Sequence, residues 1–357
     1  MKVLITGGHI SPAIAVIEKL KGEKVYYAGR KYTFEGDKAI SLEYQEITKM
    51  GIPFFEISTA RLQRRFTRHT LISLLKLPAG FFSAYKIIKK VKPDVILAFG
   101  SYVSIPVGIT GKILNIPLVI HEQTFDAGYS NKMLSRFADK ICISWKSSEK
   151  YFPKDKIVLT GNPLREEVIN ASRIKPEKNL LYVTGGSAGS HFINFLVECS
   201  IEKLLQKFTV VHQTGASQKY SDFEKLMKKK NESKNRSFLK YKPYKFLNPD
   251  DAAKMMAKAT IVVGRSGINT VSELIYLKKP ALLIPLPFAQ HQEQLKNAEF
   301  IKSLGLAEDL NEDVLSPKKF TETLLEMYKN INTYRIKRSV LSENAAKDIV
   351  AVLRNVT

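Results

Sequence analysis

The sequence of 357 residues has only two cysteines, Cys142 and Cys199, and they do not form a Cys-x-x-Cys pair. This scarcity gives no support to a disulfide framework or a structural zinc site. Both cysteines lie in apolar segments, so we expect two buried thiols in a protein from a reducing compartment. An Asp-x-Asp motif is also missing, and we predict neither an obligatory metal ion nor another cofactor.

Long hydrophobic runs are absent as well. No window comes near the roughly 18 uninterrupted apolar residues that a membrane-spanning helix needs. The opening run MKVLIT leads directly into a glycine turn and is too short for a signal peptide. We therefore expect a soluble or peripheral protein.

Acidic residues are few relative to basic ones. The chain has 34 Asp and Glu against 56 Lys and Arg, which gives a net charge of +22. Such an excess favours an anionic partner, such as a phosphate-rich substrate, an anionic membrane or a nucleic acid. Residues 57–93 are the extreme case, because they contain nine basic residues and no acidic one.

Short apolar runs alternate with helical stretches along the chain. The runs are continuous and rich in β-branched residues, which is typical of parallel strands covered on both faces. The pattern predicts an α/β fold with right-handed crossovers. The predicted strands cover residues 2–5, 24–28, 95–98, 118–121, 140–143, 157–160, 180–184, 209–212, 238–241, 260–263 and 281–284.

The strand series restarts once. The first strand runs into Thr6-Gly7-Gly8, and the strand at 180–184 runs into Gly185-Gly186-Ser187. The repetition predicts two doubly wound, Rossmann-like domains whose parallel sheets face each other across a cleft. We assign them to residues 1–162 and 163–332. Terminal helices are predicted at 317–330 and 333–355, and residues 333–357 are expected to pack back on the first domain.

Three glycine turns follow predicted strands, at 6–12, 100–106 and 185–189. Backbone N–H groups and a helix N-terminus at such a turn bind phosphate. The polar run His121-Glu122-Gln123-Thr124 follows another strand, and strand ends of this kind lie at one edge of the sheet. The sequence therefore predicts a polar, phosphate-binding edge in each domain.

A further glycine turn opens the helix that carries Thr270 and Glu273. The spacing of three residues places both side chains on one helix face near its start. A glutamate at that position can accept hydrogen bonds from a ribose diol, and Gln294, further on, can bind sugar hydroxyls. A helix-capping role for Glu273 and a surface position for Gln294 are the simpler alternatives.

Taken in order, these motifs resemble the MurG family of glycosyltransferases, which is glycosyltransferase family 28. The matching stretches are TGGHISPA (6–13), GSYVSIP (100–106), HEQTFDAGYSNK (121–132), TGNPLREEV (160–168), GGSAGSHFIN (185–194), HQTG (212–215), GRSGINTVSE (264–273) and QLKNA (294–298). The resemblance implies a GT-B fold and UDP-GlcNAc as the donor. It also implies inverting transfer of GlcNAc to the C4 hydroxyl of undecaprenyl-linked MurNAc-pentapeptide (lipid I) in peptidoglycan synthesis.

The resemblance also implies roles for individual residues. His9 is expected to be the general base, with Glu122 as the alternative. The residues expected to bind the donor are Thr124, Arg165, Ser187, Phe246, Leu247, Ile268, Thr270, Glu273 and Gln294. Those expected to face the acceptor are Thr6, Gly7, Gly8, Tyr102, His121 and Asn131.

Residues 61–92 mix basic side chains with Leu, Ile and Phe. A helix of this composition lies in an anionic lipid interface, and an enzyme with a polyprenyl-linked acceptor needs such a surface. We predict a peripheral protein on the cytoplasmic face of the bacterial plasma membrane, without a nucleic-acid partner. An ordinary crossover helix in a lysine-rich protein is the alternative.

Three departures from the family pattern leave other functions open. The opening loop lacks two glycines ahead of Thr6, Thr124 replaces the usual asparagine, and Ala188 replaces the usual glutamine. The alternatives are a related GT-B enzyme with another lipid acceptor, a UDP-GlcNAc epimerase and a non-catalytic nucleotide-sugar or polyanion-binding protein. A dinucleotide oxidoreductase is disfavoured, because the chain lacks GxGxxG.

Overall fold

The structure is a computed structural model that describes residues 1–32, 40–57, 77–186, 188–215, 220–288, 292–336 and 341–357. The chain forms two compact units. The first unit comprises Met1–Arg165 with Ser342–Thr357, and the second comprises Glu166–Leu341. The division falls close to the expected one at 162/163.

The first unit contains a seven-stranded parallel sheet with the order β3-β2-β1-β4-β5-β6-β7. The strands are β1 (Lys2–Gly7), β2 (Lys24–Gly29), β3 (Phe54–Glu56), β4 (Val95–Phe99), β5 (Leu118–Glu122), β6 (Lys140–Ile143) and β7 (Ile157–Leu159). The helices are α1 (Ile10–Ile17), α2 (Leu42–Lys49), α3 (Leu77–Val91), α4 (Ser104–Ile113) and α5 (Tyr129–Leu134). The strand order reverses at β1 and β4, and the crevice beyond their carboxyl ends is where such sheets bind ligands.

The second unit contains a six-stranded parallel sheet with the order β10-β9-β8-β11-β12-β13. Its strands are β8 (Leu180–Thr184), β9 (Thr209–Gln213), β10 (Tyr241–Tyr244), β11 (Ile261–Gly264), β12 (Ala281–Leu283) and β13 (Ala307–Asp309). Its helices are α6 (Glu166–Ala171), α7 (His191–Leu204), α8 (Asp222–Glu232), α9 (Pro249–Lys258), α10 (Ile268–Tyr276), α11 (Glu293–Ser303) and α12 (Pro317–Lys329). Here the order reverses at β8 and β11.

Successive residues of β1 point to opposite faces of the first sheet. Val3 and Ile5 pack in one core cluster with Val16 of α1, whereas Leu4 packs in the other with Ile88 of α3. A last helix, α13 (Ala345–Val356), completes the first of these clusters with Ile349 and its neighbours. The sheet is therefore covered on both faces, as its uninterrupted apolar strands require.

Several sequence-based predictions were wrong in detail. The strand predicted at 238–241 begins only at Tyr241, because Asn235 accepts a hydrogen bond from Ser237 N and starts a 3₁₀ helix, Arg236–Lys240, ahead of β10. The helix predicted at 333–355 begins only at Ala345. Cys199 is exposed on α7, while Cys142 is buried as expected.

Candidate active site

The glycine turn after β1 lies directly against the end of β4. Gly7 has φ +135°, and a Cβ atom there would lie 2.8 Å from the carbonyl carbon of Phe99. A Cβ on Gly8 would lie 2.9 Å from that of Ser101. Only glycine therefore allows the two turns to approach this closely. Thr6 is buried, and its hydroxyl has no hydrogen-bond partner among the described residues.

His9 follows this turn at the N-cap position of α1. Its Nδ1 lies 2.6 Å from the carbonyl oxygen of Phe99. Because a carbonyl can only accept, Nδ1 carries the proton in this bond and Nε2 is the basic nitrogen of the neutral ring. The imidazole is half-buried, so the turn presents one oriented proton acceptor at the edge of the sheet.

His121 lies in the same region and is fully buried at the end of β5. Its Nε2 is 3.1 Å from Ser144 Oγ, and its ring centroid is 5.3 Å from that of Phe99. Burial, opposed by a hydrogen bond to the Gly161 carbonyl and assisted by the nearby His9, lowers the pKa of His121 to about 3. His121 is therefore a neutral, positioned group near pH 7.

The Glu122 carboxylate is saturated with hydrogen bonds. Oε1 accepts from the Thr124 backbone N at 3.0 Å and from its hydroxyl at 2.6 Å. Oε2 accepts from Gly128 N and from Asn131 Nδ2, both at 2.9 Å. Glu122 thus organises the loop from Thr124 to Asn131, and the Thr124 side chain faces this carboxylate. The arrangement favours a positioning role for Glu122 and leaves His9 as the stronger candidate base.

Asn131 lies in the first turn of α5 and is buried. Its amide nitrogen also donates to the His121 carbonyl at 3.0 Å, whereas its Oδ1 has no partner among the described residues. An amide oxygen of this kind can accept one further hydrogen bond. The geometry brings Asn131, His121 and Glu122 together through these hydrogen bonds.

Tyr102 lies on the turn after β4, and the Arg30 guanidinium lies 5.1 Å from its ring centroid. Arg30 directly follows β2, and its backbone N donates to the buried Glu43 carboxylate. Arg30 is not among the residues predicted from the sequence. The only sequence signal for Arg30 is that it is a basic residue at the end of a strand beside the switch point. In a lysine-rich chain, such a residue does not stand out.

The glycine turn after β8 is packed against the turn after β9. A Cβ atom on Gly189 would lie 2.1 Å from the Thr214 carbonyl oxygen, and one on Gly215 would lie 2.3 Å from Gly189 Cα. Gln213 Nε2 donates to the Gly186 carbonyl at 3.1 Å and holds the turn in place. Ser187, expected to bind the donor from this turn, lies outside the described residues.

A buried polar network that was not predicted from the sequence supports this turn. Tyr241 O–H donates to His212 Nδ1 at 2.9 Å, and His212 Nε2 donates to Asn194 Oδ1 at 3.0 Å. Asn194 Nδ2 then donates to the Thr214 carbonyl at 2.9 Å and to Asp222 at 2.8 Å. Burial lowers the pKa of His212 to about 3, so the ring is neutral and can bridge donor and acceptor.

The start of α10 forms the other part of this edge. Thr270 and Glu273 are half-buried on α10, Ile268 is buried at its first position, and Gly267 precedes it as the N-cap. Burial raises the pKa of Tyr182, and the Glu273 carboxylate adds to that rise. Glu273 therefore lies near β8, at the switch point of this sheet.

Gln294 lies on α11 and is hydrogen-bonded to the turn that precedes α10. Ser266 Oγ donates to the Gln294 carbonyl at 2.7 Å, and Leu286 N donates to Gln294 Oε1 at 3.0 Å. Asn297 Nδ2 donates to the Ser266 carbonyl at 2.8 Å. These bonds hold the Gln294 side chain beside the N-terminus of α10, with its amide nitrogen available to donate.

Four more residues, Thr124, Arg165, Phe246 and Leu247, were expected to bind the donor, and the first two belong to the first unit. Phe246 is exposed and Leu247 half-buried after β10, and β10 is three strand spacings, roughly 14 Å, from β11. Arg165 is half-buried at the end of the first unit.

Within the described part of the chain, no helix is long and apolar enough to cross a membrane. The same residues contain no group of three or more His, Cys, Asp or Glu side chains that could hold a metal ion.

Comparisons with known proteins agree with this architecture. The glycosyltransferase family 28 N-terminal domain matches residues 6–143, and its C-terminal domain matches residues 180–353. A Clostridium botulinum (strain 657 / Type Ba4) protein is 31% identical over 373 residues, covering 100% of this chain and 99% of the relative. A Clostridium tetani (strain Massachusetts / E88) protein is 33% identical over 348 residues, covering 93% and 91%. Both are named UDP-N-acetylglucosamine–N-acetylmuramyl-(pentapeptide) pyrophosphoryl-undecaprenol N-acetylglucosamine transferase.

Solved structures confirm the fold. The crystal structure of Acinetobacter baumannii MurG superposes with a TM-score of 0.69 at 24% identity, covering 99% of both chains. A UDP-GlcNAc 2-epimerase from Neisseria meningitidis gives a TM-score of 0.66 at 15% identity, covering 99% of this chain and 100% of that one. The prediction of two Rossmann-like domains of the GT-B class is therefore confirmed. With relatives above 30% identity along essentially its whole length, the chain belongs to glycosyltransferase family 28.

Proposed function

We propose that this protein moves GlcNAc from UDP-GlcNAc to the C4 hydroxyl of undecaprenyl-linked MurNAc-pentapeptide, with inversion at the sugar. The names of the full-length relatives supply the substrates. The observation that carries the chemistry is the His9–Phe99 hydrogen bond, because it leaves one basic nitrogen at the switch point of the first sheet.

In the proposed reaction, His9 Nε2 takes the proton from the acceptor hydroxyl as its oxygen attacks the anomeric carbon. The bond between that carbon and the diphosphate oxygen breaks, and UDP leaves with the electron pair. His121 and Asn131 orient the acceptor. Glu122 keeps their loop in place through its four hydrogen bonds.

The second unit binds the donor in this proposal. Backbone N–H groups of the turn at 185–189 and the N-terminus of α10 stabilise the charge of the leaving diphosphate. Thr270 assists at the same helix terminus, Glu273 accepts hydrogen bonds from the ribose, and Gln294 donates to the sugar. No metal ion is assigned a role.

The surface of α3 supports membrane attachment. Phe82 and Tyr85 are 60% and 43% exposed. Lys86 Nζ lies 4.3 Å from the Phe82 ring centroid, and Lys89 Nζ lies 5.7 Å from that of Tyr85. Spacings of three, four and seven residues place this group on one helix face. We propose that it contacts an anionic membrane at the cytoplasmic face. Of the predicted segment 61–92, residues 61–76 lie outside the described residues.

The test is transfer from radiolabelled UDP-GlcNAc to a lipid I analogue, with UDP release followed in parallel. Equal amounts of labelled disaccharide lipid and UDP are expected. Conversion of UDP-GlcNAc to its 2-epimer without transfer would make the protein an epimerase. Donor binding without turnover on this or other lipid acceptors would make it a binding protein.

A further inference from the structure

The second unit has a pocket at the edge of its sheet opposite to the proposed donor site. Its volume is about 550 Å³, and its lining includes Pro176–Asn179 ahead of β8, Ala259 and Thr260 ahead of β11, Lys278–Pro280 ahead of β12, and Lys329 at the end of α12. The glycine turn and α10 follow these strands. Because β8 has five residues, the two edges are separated by roughly 15 Å. The pocket is thus distinct from the proposed donor site.

Lys279 is the buried charge of this pocket. The residue is only 6% exposed, and its Nζ donates to the Ala259 carbonyl at 3.2 Å. Among the described residues, no carboxylate forms an ion pair with it. Burial lowers the pKa of Lys279 to about 8. A buried ammonium with a single carbonyl acceptor is costly, so this side chain favours an anionic ligand.

Three more lysines, Lys178, Lys278 and Lys329, line the pocket and are exposed. The acidic residue of the lining is Glu177, and its carboxylate is paired with Lys258 Nζ at 2.7 Å. The charge that the pocket offers to a ligand is therefore strongly positive. Such an environment disfavours an apolar or cationic ligand and favours a multiply charged anion.

Lys278 and Lys279 are held at the pocket by a turn in which Lys278 has an unfavourable backbone conformation. Lys278 has φ +53°, a left-handed conformation that glycine adopts more easily. It directly follows Leu277, the C-cap of α10, and the backbone N–H groups of Lys278 and Lys279 donate to the carbonyls of Ile275 and Leu274. This turn directs the chain into the pocket lining at Lys279.

We propose that this lysine pocket, formed by Lys178, Lys278, Lys279 and Lys329, binds a small phosphate-bearing anion. Lys279 supplies the buried charge-assisted hydrogen bonds, and the three exposed lysines neutralise the remaining charge. Ammonium groups bind phosphate oxygens as point charges without requiring a planar partner, and the volume accommodates more than one phosphoryl group.

The first experiment is calorimetric titration of the protein with inorganic diphosphate at constant ionic strength. Saturating UDP is present so that the diphosphate does not bind at the proposed donor site. Lys279→Met is expected to weaken binding about tenfold or more, because the buried ammonium is lost. The matched control is Lys228→Met, which removes the same charge from an exposed position on α8. Equal weakening in both variants, or none in Lys279→Met, overturns the proposal.

A second readout locates the anion and does not depend on folding of Lys279→Met. Intact protein is acetylated with an N-hydroxysuccinimide ester, and the modified lysines are counted by mass spectrometry. Diphosphate is expected to slow modification of Lys279 while leaving that of Lys228 unchanged. The exposed changes Lys178→Gln and Lys329→Gln should reduce this protection. Unaltered modification of Lys279 at saturating diphosphate would show that the anion binds elsewhere.

Discussion

His9 Nδ1 donates a hydrogen bond to the carbonyl oxygen of Phe99, joining the N-cap of α1 to the last residue of β4 across 2.6 Å. The two residues are 90 positions apart in the chain. The bond depends on Gly7, because a side chain there would collide with the Phe99 backbone. The hydrogen bond between His9 and Phe99 therefore orients the imidazole ring and leaves Nε2 as its basic nitrogen.

Replacement of His9 by alanine should lower kcat by about a hundredfold to ten-thousandfold, the usual contribution of a general base. UDP affinity measured by calorimetry should change little, because the residue lies in the first unit. His9→Gln is the matched control, since its amide can donate to Phe99 but cannot take a proton. If His9→Gln retains full turnover, His9 positions the acceptor and is not the base.

Glu122→Gln should destabilise the first unit by about 2–4 kcal/mol. The amide replaces an oxygen that accepts two hydrogen bonds with a group that donates, so two donors of the loop lose their partner. Denaturant unfolding of the variant measures the change. Unchanged stability together with a loss of kcat as large as that of His9→Ala would instead identify Glu122 as the base.

The sequence predicts those parts of this fold that have strong local signals. β1 and β8 were predicted because each is a continuous apolar run that ends in Gly-Gly. β13 was missed because a three-residue strand of Ala-Glu-Asp has no hydrophobic pattern. The tautomer of His9 and the network from His212 through Asn194 depend on contacts between residues far apart in the chain. Local patterns do not specify such contacts.

Asn194→Ala should weaken UDP binding about tenfold, with stability of the second unit reduced as well. The change removes the donor to the Thr214 carbonyl, against which Gly189 is packed. Calorimetric UDP titration of the folded variant measures the effect. Cys199→Ala, an exposed change on the same helix, is the control and should bind UDP like the wild type. Equal affinity in both variants would show that the network does not shape the donor turn.

Phe82→Ser combined with Lys86→Gln should reduce binding to phosphatidylglycerol vesicles about tenfold or more. The pair removes one exposed aromatic side chain and one charge, each a sizeable part of interfacial affinity. Vesicle co-sedimentation measures the loss, with transfer to a soluble acceptor analogue unaffected. Phe195→Ser, an exposed aromatic on α7, is the matched control. A similar loss in that variant would contradict a specific role for α3.

Acid should destabilise the second unit through His212, whose pKa is lowered by burial from 6.5 to about 3. Between these two values the unfolded chain binds a proton that the folded chain does not, so the free energy of unfolding falls as pH falls from 6.5 towards 3. The contribution approaches about 1.4 kcal/mol per pH unit for one such group. Protonation would also place a hydrogen on Nδ1, which in the neutral ring accepts the hydrogen bond from Tyr241 O–H. His212→Gln should therefore be less stable than the wild type at pH 8, through its lost hydrogen bonds, but should lose less stability between pH 6.5 and 4. Urea unfolding at pH 8, 6.5 and 4 separates the effect of the lost hydrogen bonds from that of protonation. Parallel pH profiles for the variant and the wild type would rule out His212 as the acid-sensitive group.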